Sequence, residues 1–106
     1  MDVGPVRDTT NAFVDDLQNT RFADAYGRLC TTLRSLLTLD QFTQEVRAEP
    51  AIHDHQLKSV HVASVDGQTT AQVGTQLTRD GGTVDTETFA LTKQGGDWTM
   101  CSKPAY

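Results

Sequence analysis

QLKSVHVASVDGQTTAQVGTQLTRDGGTVDTETFALTKQGGDWTMC, residues 56–101, is the stretch that decides the fold. Asp66-Gly67, Arg79-Asp80-Gly81-Gly82 and Gln94-Gly95-Gly96-Asp97 cut it into four extended segments. Each cut supplies the Gly or Asp that a tight hairpin needs at positive φ, so the segments read as an antiparallel meander. In the second segment Ala71, Val73, Thr75 and Leu77 alternate with Thr70, Gln72, Gly74 and Gln76, which predicts one dry face and one wet face. The first is less regular, since Val60 and Val62 have the opposite parity to Leu57, Ala63 and Val65, and in the third Val84 is out of phase with Phe89 and Leu91. A bulge or a sharp bend in each strand would reconcile both, as would burial of the two sheet faces at different points. The last segment, Trp98 to Cys101, is short and carries the only Trp.

Ahead of the meander the period changes from two to that of a helix. Gly4-Pro5 reads as a helix start with Pro at the first helical position, followed by a stripe of Val6, Thr10, Phe13, Val14 and Leu17. Asn19-Thr20 interrupts it, and either residue can cap a second helix whose stripe is Phe22, Ala25, Tyr26 and Leu29, with Cys30 on the same face as Tyr26. Residues 31–37 are ambiguous, with Leu33, Leu36 and Leu37 set among weak helix formers. Thr38 and Gln41 then have the spacing of a capping box and open a third helix through Leu39, Phe42 and Val46, which Pro50 closes. A polar connection, Ala51 to His55, is expected to lead into the sheet.

The chain has 106 residues, room for a single domain spanning 1–106, and a hydrophobic fraction of only 37%, so the core is thin. The net charge is -5 and the nine basic residues are scattered, which argues against a nucleic-acid partner. No apolar run approaches the ~20 residues of a membrane span. The abrupt start Met1-Asp2-Val3-Gly4-Pro5 lacks the plan of a secretory signal and fits either a cytosolic protein or one whose anchor has been removed. Cys30 and Cys101, 71 positions apart, are an even pair at the end of a helix and in the final strand. They read as a disulfide of an extracytoplasmic domain, with two buried free thiols as the alternative.

Three helices followed by a four-strand meander resemble the cone of the nuclear-transport-factor-2-like (NTF2-like) superfamily, an α+β fold whose curved antiparallel sheet wraps around the helices and encloses a pocket. More narrowly, Ala12-Phe13-Val14-Asp15-Asp16-Leu17, Asp24-Ala25-Tyr26-Gly27-Arg28-Leu29-Cys30 and Gly96-Asp97-Trp98-Thr99-Met100-Cys101 are similar to small extracytoplasmic domains of that superfamily in actinobacteria. Those domains are of unknown function or lumazine-binding-like, and the resemblance implies a preceding membrane helix or lipid anchor. It brings no catalytic residue onto this chain.

Read for chemistry, His53, His55 and His61 share parity and could hold a metal from one side of a strand, but no Cys or Glu completes the set, so no metal is expected. Tyr26 should be directed toward the sheet, where the superfamily keeps its pocket. It is the candidate ligand-binding residue, the alternative being a core Tyr with its hydroxyl on a backbone partner near the cysteines. Asp15, Asp16, Asp24, Asp85 and Glu87 all read as solvated, which leaves no convincing base. Thr70, Gln72, Gln76, Thr86 and Thr88 are the wet side of the sheet, a polar groove, or an edge for a partner strand. Phosphate loops, Cys-x-x-Cys and nucleophile elbows are absent, and no cofactor is implied.

These readings predict a non-catalytic binding or regulatory domain of a membrane-anchored envelope protein, touching an envelope or membrane protein partner or holding a small apolar ligand, with a homodimer as a further option. The competing class is an isomerase- or dehydratase-like enzyme that uses the cone pocket with Tyr26.

Overall fold

The computed structural model describes residues 2–104 and 106 of the chain. Four helices, α1 (Val3–Gln18), α2 (Phe22–Gly27), α3 (Thr31–Leu36) and α4 (Leu39–Arg47), precede four strands, β1 (Ile52–Val65), β2 (Gln68–Arg79), β3 (Val84–Gln94) and β4 (Asp97–Met100). The strands form one antiparallel sheet in the order β1-β2-β3-β4, as the turn residues require. Asp66 and Gly67 sit at φ 51 and 79, and Gly81, Gly82, Gly95 and Gly96 all lie at positive φ.

The ambiguous segment 31–37 is a short helix, α3, so the helical layer has one more element than the three expected. Cys30, in extended conformation, precedes it, Arg34 N–H donates to the Cys30 carbonyl, and Leu33 is its one buried residue. The other helix starts differ in detail. α1 begins at Val3 with Asp2 before it, so Pro5 is its third residue, still within the turn whose N–H groups have no helical acceptor. α2 is preceded by Arg21 and has no side-chain cap. Asn19 and Thr20 instead finish α1: Asn19 Nδ2 donates to Asp15 O, and Thr20 takes the left-handed conformation at φ 57. The capping box on α4 forms as read, Gln41 N–H donating to Thr38 Oγ1 and Thr38 N–H to Gln41 Oε1.

The expected connection Ala51–His55 is strand from Ile52 onward, because it pairs with the far end of β2. Register shifts between Ile52 and Asp54 and between Leu57 and Ser59 leave His53 and Lys58 as extra residues on β1. Residues paired directly across an antiparallel ladder share a face, so the Lys58 bulge brings Leu57, Val60 and Val62 to the side of Thr75, Val73 and Ala71. The bulge settles the parity of Leu57 against Val60 and Val62, whereas Ala63 and Val65, opposite Thr70 and Gln68, stay on the outer face, where Val65 is 68% exposed. In β3 no bulge exists: the pairing from Thr70↔Thr92 to Thr78↔Val84 is unbroken, and Val84 is simply out in solvent, 54% exposed.

The dry face predicted for β2 is the concave face of the sheet, with Ala71, Val73, Thr75 and Leu77 buried; Thr70, Gln72, Thr86 and Thr88 on the other face are exposed. α1 lies in the concavity on the stripe read from sequence, Val6, Thr10, Phe13, Val14 and Leu17. His55 fastens β1 to it, one ring nitrogen on Asn11 Oδ1 at 3.0 Å and the other on Gln18 Oε1. At the opposite edge Cys30 and Cys101 are bonded, their Cα atoms 5.3 Å apart. Beside that disulfide Cys30 N–H donates to Met100 O and Met100 N–H to Arg28 O, so the α2–α3 junction continues the sheet past β4.

Candidate functional site

An aromatic cluster fills the centre of the cone. The Phe13 ring lies 6.4 Å from Phe42, 6.1 Å from Phe89 and 5.5 Å from Tyr106, and Tyr106 lies 5.3 Å from Phe89. Most of these contacts are edge-to-face, the arrangement that the ring quadrupoles favour. Tyr106 comes from the segment after β4, which is held by Cys101 N–H on Ala90 O and Ala90 N–H on Ser102 Oγ. Its ring is 2% exposed and its hydroxyl donates to Ser102 O. Burial, and secondarily the Glu45 carboxylate, push its phenol above the ordinary tyrosine range.

Between this cluster and the open end of the cone is a cavity of about 290 Å³. Leu17, Phe22, Val46, Pro50, Ile52 and Tyr106 form its apolar wall, and Arg47 and Arg79 are the cations in its lining. Arg79 ends β2 and is 3% exposed; its Nε donates to Asp85 Oδ2 at 2.7 Å and its Nη1 to Pro50 O at 2.8 Å. The Arg47 guanidinium lies 5.0 Å above the Phe22 ring. A larger groove of about 750 Å³, between the start of α1 and the β3–β4 turn, is shallower and polar, lined by Asp8, Arg34, Gln94 and Asp97 among others. Trp98 lines it too, but its indole N–H is sealed from solvent and has no acceptor among the described residues.

Tyr26 is elsewhere. Its hydroxyl is 2.8 Å from Leu37 O and 3.2 Å from Arg34 O, and its ring packs 5.8 Å from Phe42, so it ties α2 to the end of α3. It is not in the wall of the mouth cavity. The histidines are dispersed by the β1 bulges: His53 is exposed with Asp80 at 3.9 Å, His55 is engaged by α1, and His61 is exposed. Among the described residues no three metal-ligating side chains converge.

Of the acids read as solvated, Asp16 is not. It is 3% exposed and receives Arg21 Nε at 3.1 Å and Arg28 Nε at 2.8 Å, joining α1 to both ends of α2. Asp85 is half-buried on Arg79. Neither is an uncommitted base. Sequence reasoning also missed Arg79 and Tyr106. Arg79 sits inside a turn signal, where an arginine is usually solvated, and Tyr106 follows a segment with no period at all.

No family model matches the chain. No curated protein matches it either. Among solved structures the chain is similar to an NTF2-like transpeptidase of Campylobacter jejuni, with a TM-score of 0.67 at 13% identity, over 92% of this chain and 97% of that one. At such low identity the likeness carries the fold and no activity. The curved four-stranded sheet, closed by helices across its concave face, is an NTF2-like cone.

Proposed function

We propose that the chain is an extracytoplasmic, non-catalytic binding domain of a membrane-anchored envelope protein, and that the mouth of its cone takes a small apolar molecule. The observation that carries this reading is the cavity walled by Leu17, Phe22, Val46, Ile52 and Tyr106, whose only buried charge is already paired. Largely apolar concavities with few polar groups are the usual form of small-molecule sites. General acid–base chemistry needs a poised donor or acceptor. Asp16 on α1 and Asp85 beside Arg79 are held by arginines, and Tyr26 is bonded to two carbonyls. The Cys30–Cys101 disulfide supports an oxidising compartment, and among the described residues no helix is long and apolar enough to cross a membrane.

The test is a titration of isotope-labelled protein with the neutral probe 4-phenylbutyramide, followed by amide resonances. Saturable shifts centred on Leu17, Phe22, Val46 and Ile52 are expected. Shifts elsewhere, or none at millimolar probe, would remove the cavity from the reading. Mass spectrometry of natively purified protein without reductant tests the compartment, since two free thiols would take away its support.

A further inference from the structure

We propose that the ligand is an apolar acid, its hydrocarbon part against the cavity wall and its carboxylate on the guanidiniums of Arg79 and Arg47. This rests on the reading of the mouth as a binding cavity and adds the chemical class of what it holds. The chain is acidic overall, at a net charge of -5, yet two of its arginines line this one small and otherwise largely apolar cavity. A guanidinium has five N–H donors and no acceptor capacity. Arg79 presents Nε to Asp85 and Nη1 to Pro50 O, and among the described residues no acceptor is bonded to Nη2. That nitrogen is not sealed, because Trp98 Nε1 is the one buried side-chain nitrogen or oxygen without a partner among the described residues.

A largely apolar cavity wall that carries two guanidiniums suits a largely apolar molecule with one anionic acceptor. Arg47 adds to this without competing commitments: its contact is the Phe22 ring, and among the described residues it has no carboxylate partner. Buried Arg79 is fixed in place by its two bonds, so it loses little side-chain freedom on receiving a carboxylate. Glu49 also lines the cavity and opposes an anion. A diacid or a phosphate monoester is therefore a poorer fit than a monocarboxylate.

The experiment compares 4-phenylbutyrate with its amide by calorimetric titration at low salt, on the wild type and on Arg47→Met, Asp85→Asn and the pair Arg79→Met/Asp85→Asn. The acid is expected to bind wild type at least about tenfold more tightly than the amide, the scale of one charge-assisted hydrogen bond in a partly dry site. Asp85→Asn, which removes the anion competing for Arg79, should widen that ratio, whereas a purely structural Arg79 predicts no gain. Arg47→Met and the paired variant should narrow it. Arg47 is outside the Asp85–Arg79–Pro50 clamp, so its variant remains informative if the paired one does not fold. Equal binding of acid and amide would overturn the proposal and leave the cavity reading standing; binding of neither would overturn both. A preference that survives the arginine substitutions would also overturn it, by placing the carboxylate elsewhere.

Discussion

Tyr106 supplies a whole ring to the thin core of the cone, packed against Phe13 and Phe89. Tyr106→Ala leaves a ring-sized void among Phe13, Phe89 and the mouth cavity, and should cost about 3–5 kcal/mol, read from urea midpoints. Tyr106→Phe isolates the hydroxyl. At neutral pH it loses the bond to Ser102 O and should be less stable by about 1 kcal/mol. The folded-state pKa of Tyr106 is raised above the unfolded value, so its contribution is complete below the ordinary tyrosine pKa of about 10 and is lost as pH rises beyond it. The gap between wild type and Tyr106→Phe should therefore shrink at pH 11, since only the wild type has this proton to lose on unfolding. Parallel stability curves from pH 7 to 11 would refute the burial argument. The buried Asp16 and Arg79 show the same thing in polar form: each is a charge whose partners come from other elements or from beyond a turn, so neither could be recognised from its neighbours in sequence.

At the scale of elements, β1 shows how one extra residue sets which side chains face the helices. Lys58 stands outside the ladder, so deleting it leaves Leu57 opposite Thr75 and Ser59 opposite Gly74. The strand straightens, but Leu57 and His55 keep their side. Deleting Gln56 instead either removes the bulge, which sets Lys58 opposite Thr75 and turns Leu57 to the outer face, or keeps the bulge and turns His55 outward. The Gln56 deletion should be the more damaging by about 1 kcal/mol, the cost of exposing a half-buried leucine. Equal losses by chemical denaturation would mean that the bulge does not control facing. The capping box on α4 and the Gly-containing turns were readable because their chemistry is local, a hydroxyl three residues from a backbone N–H or a glycine at positive φ. The strand character of Ile52–His55 was not readable, since it comes from partners more than twenty residues later in β2.

For the whole molecule, the sulfur bridge matters because it closes a loop, at a sequence separation of 71, that takes in α3, α4 and all four strands. The chain-entropy account gives it about 4 kcal/mol, a large fraction of what a domain of this size has. Reduction, or Cys30→Ser with Cys101→Ser, should lower the thermal midpoint by well over 10 °C at ~4–8 °C per kcal/mol. A shift of a few degrees would show that the ladder of Cys30, Met100 and Arg28 holds that edge without sulfur.

The sequence by itself determined the α+β class, the four-strand meander, the dry face of β2, the stripe of α1 and the candidate cysteine pair. All but the last are written in short periods and local turn chemistry, which need no knowledge of what lies across the core. Only the tertiary structure decided which residues line the mouth cavity. The mouth cavity draws Leu17 from α1, Phe22 from α2, Val46 and Arg47 from α4, the cross-strand partners Ile52 and Arg79 from one end of the β1–β2 pair, and Tyr106 from beyond β4. Tyr26, which its helical spacing marked as either a ligand residue or a core tyrosine on a backbone acceptor, is bonded to the carbonyls of Arg34 and Leu37. Spacing along a helix gives the face a side chain occupies, but the nearest hydrogen-bond acceptor on that face depends on how the next helix packs.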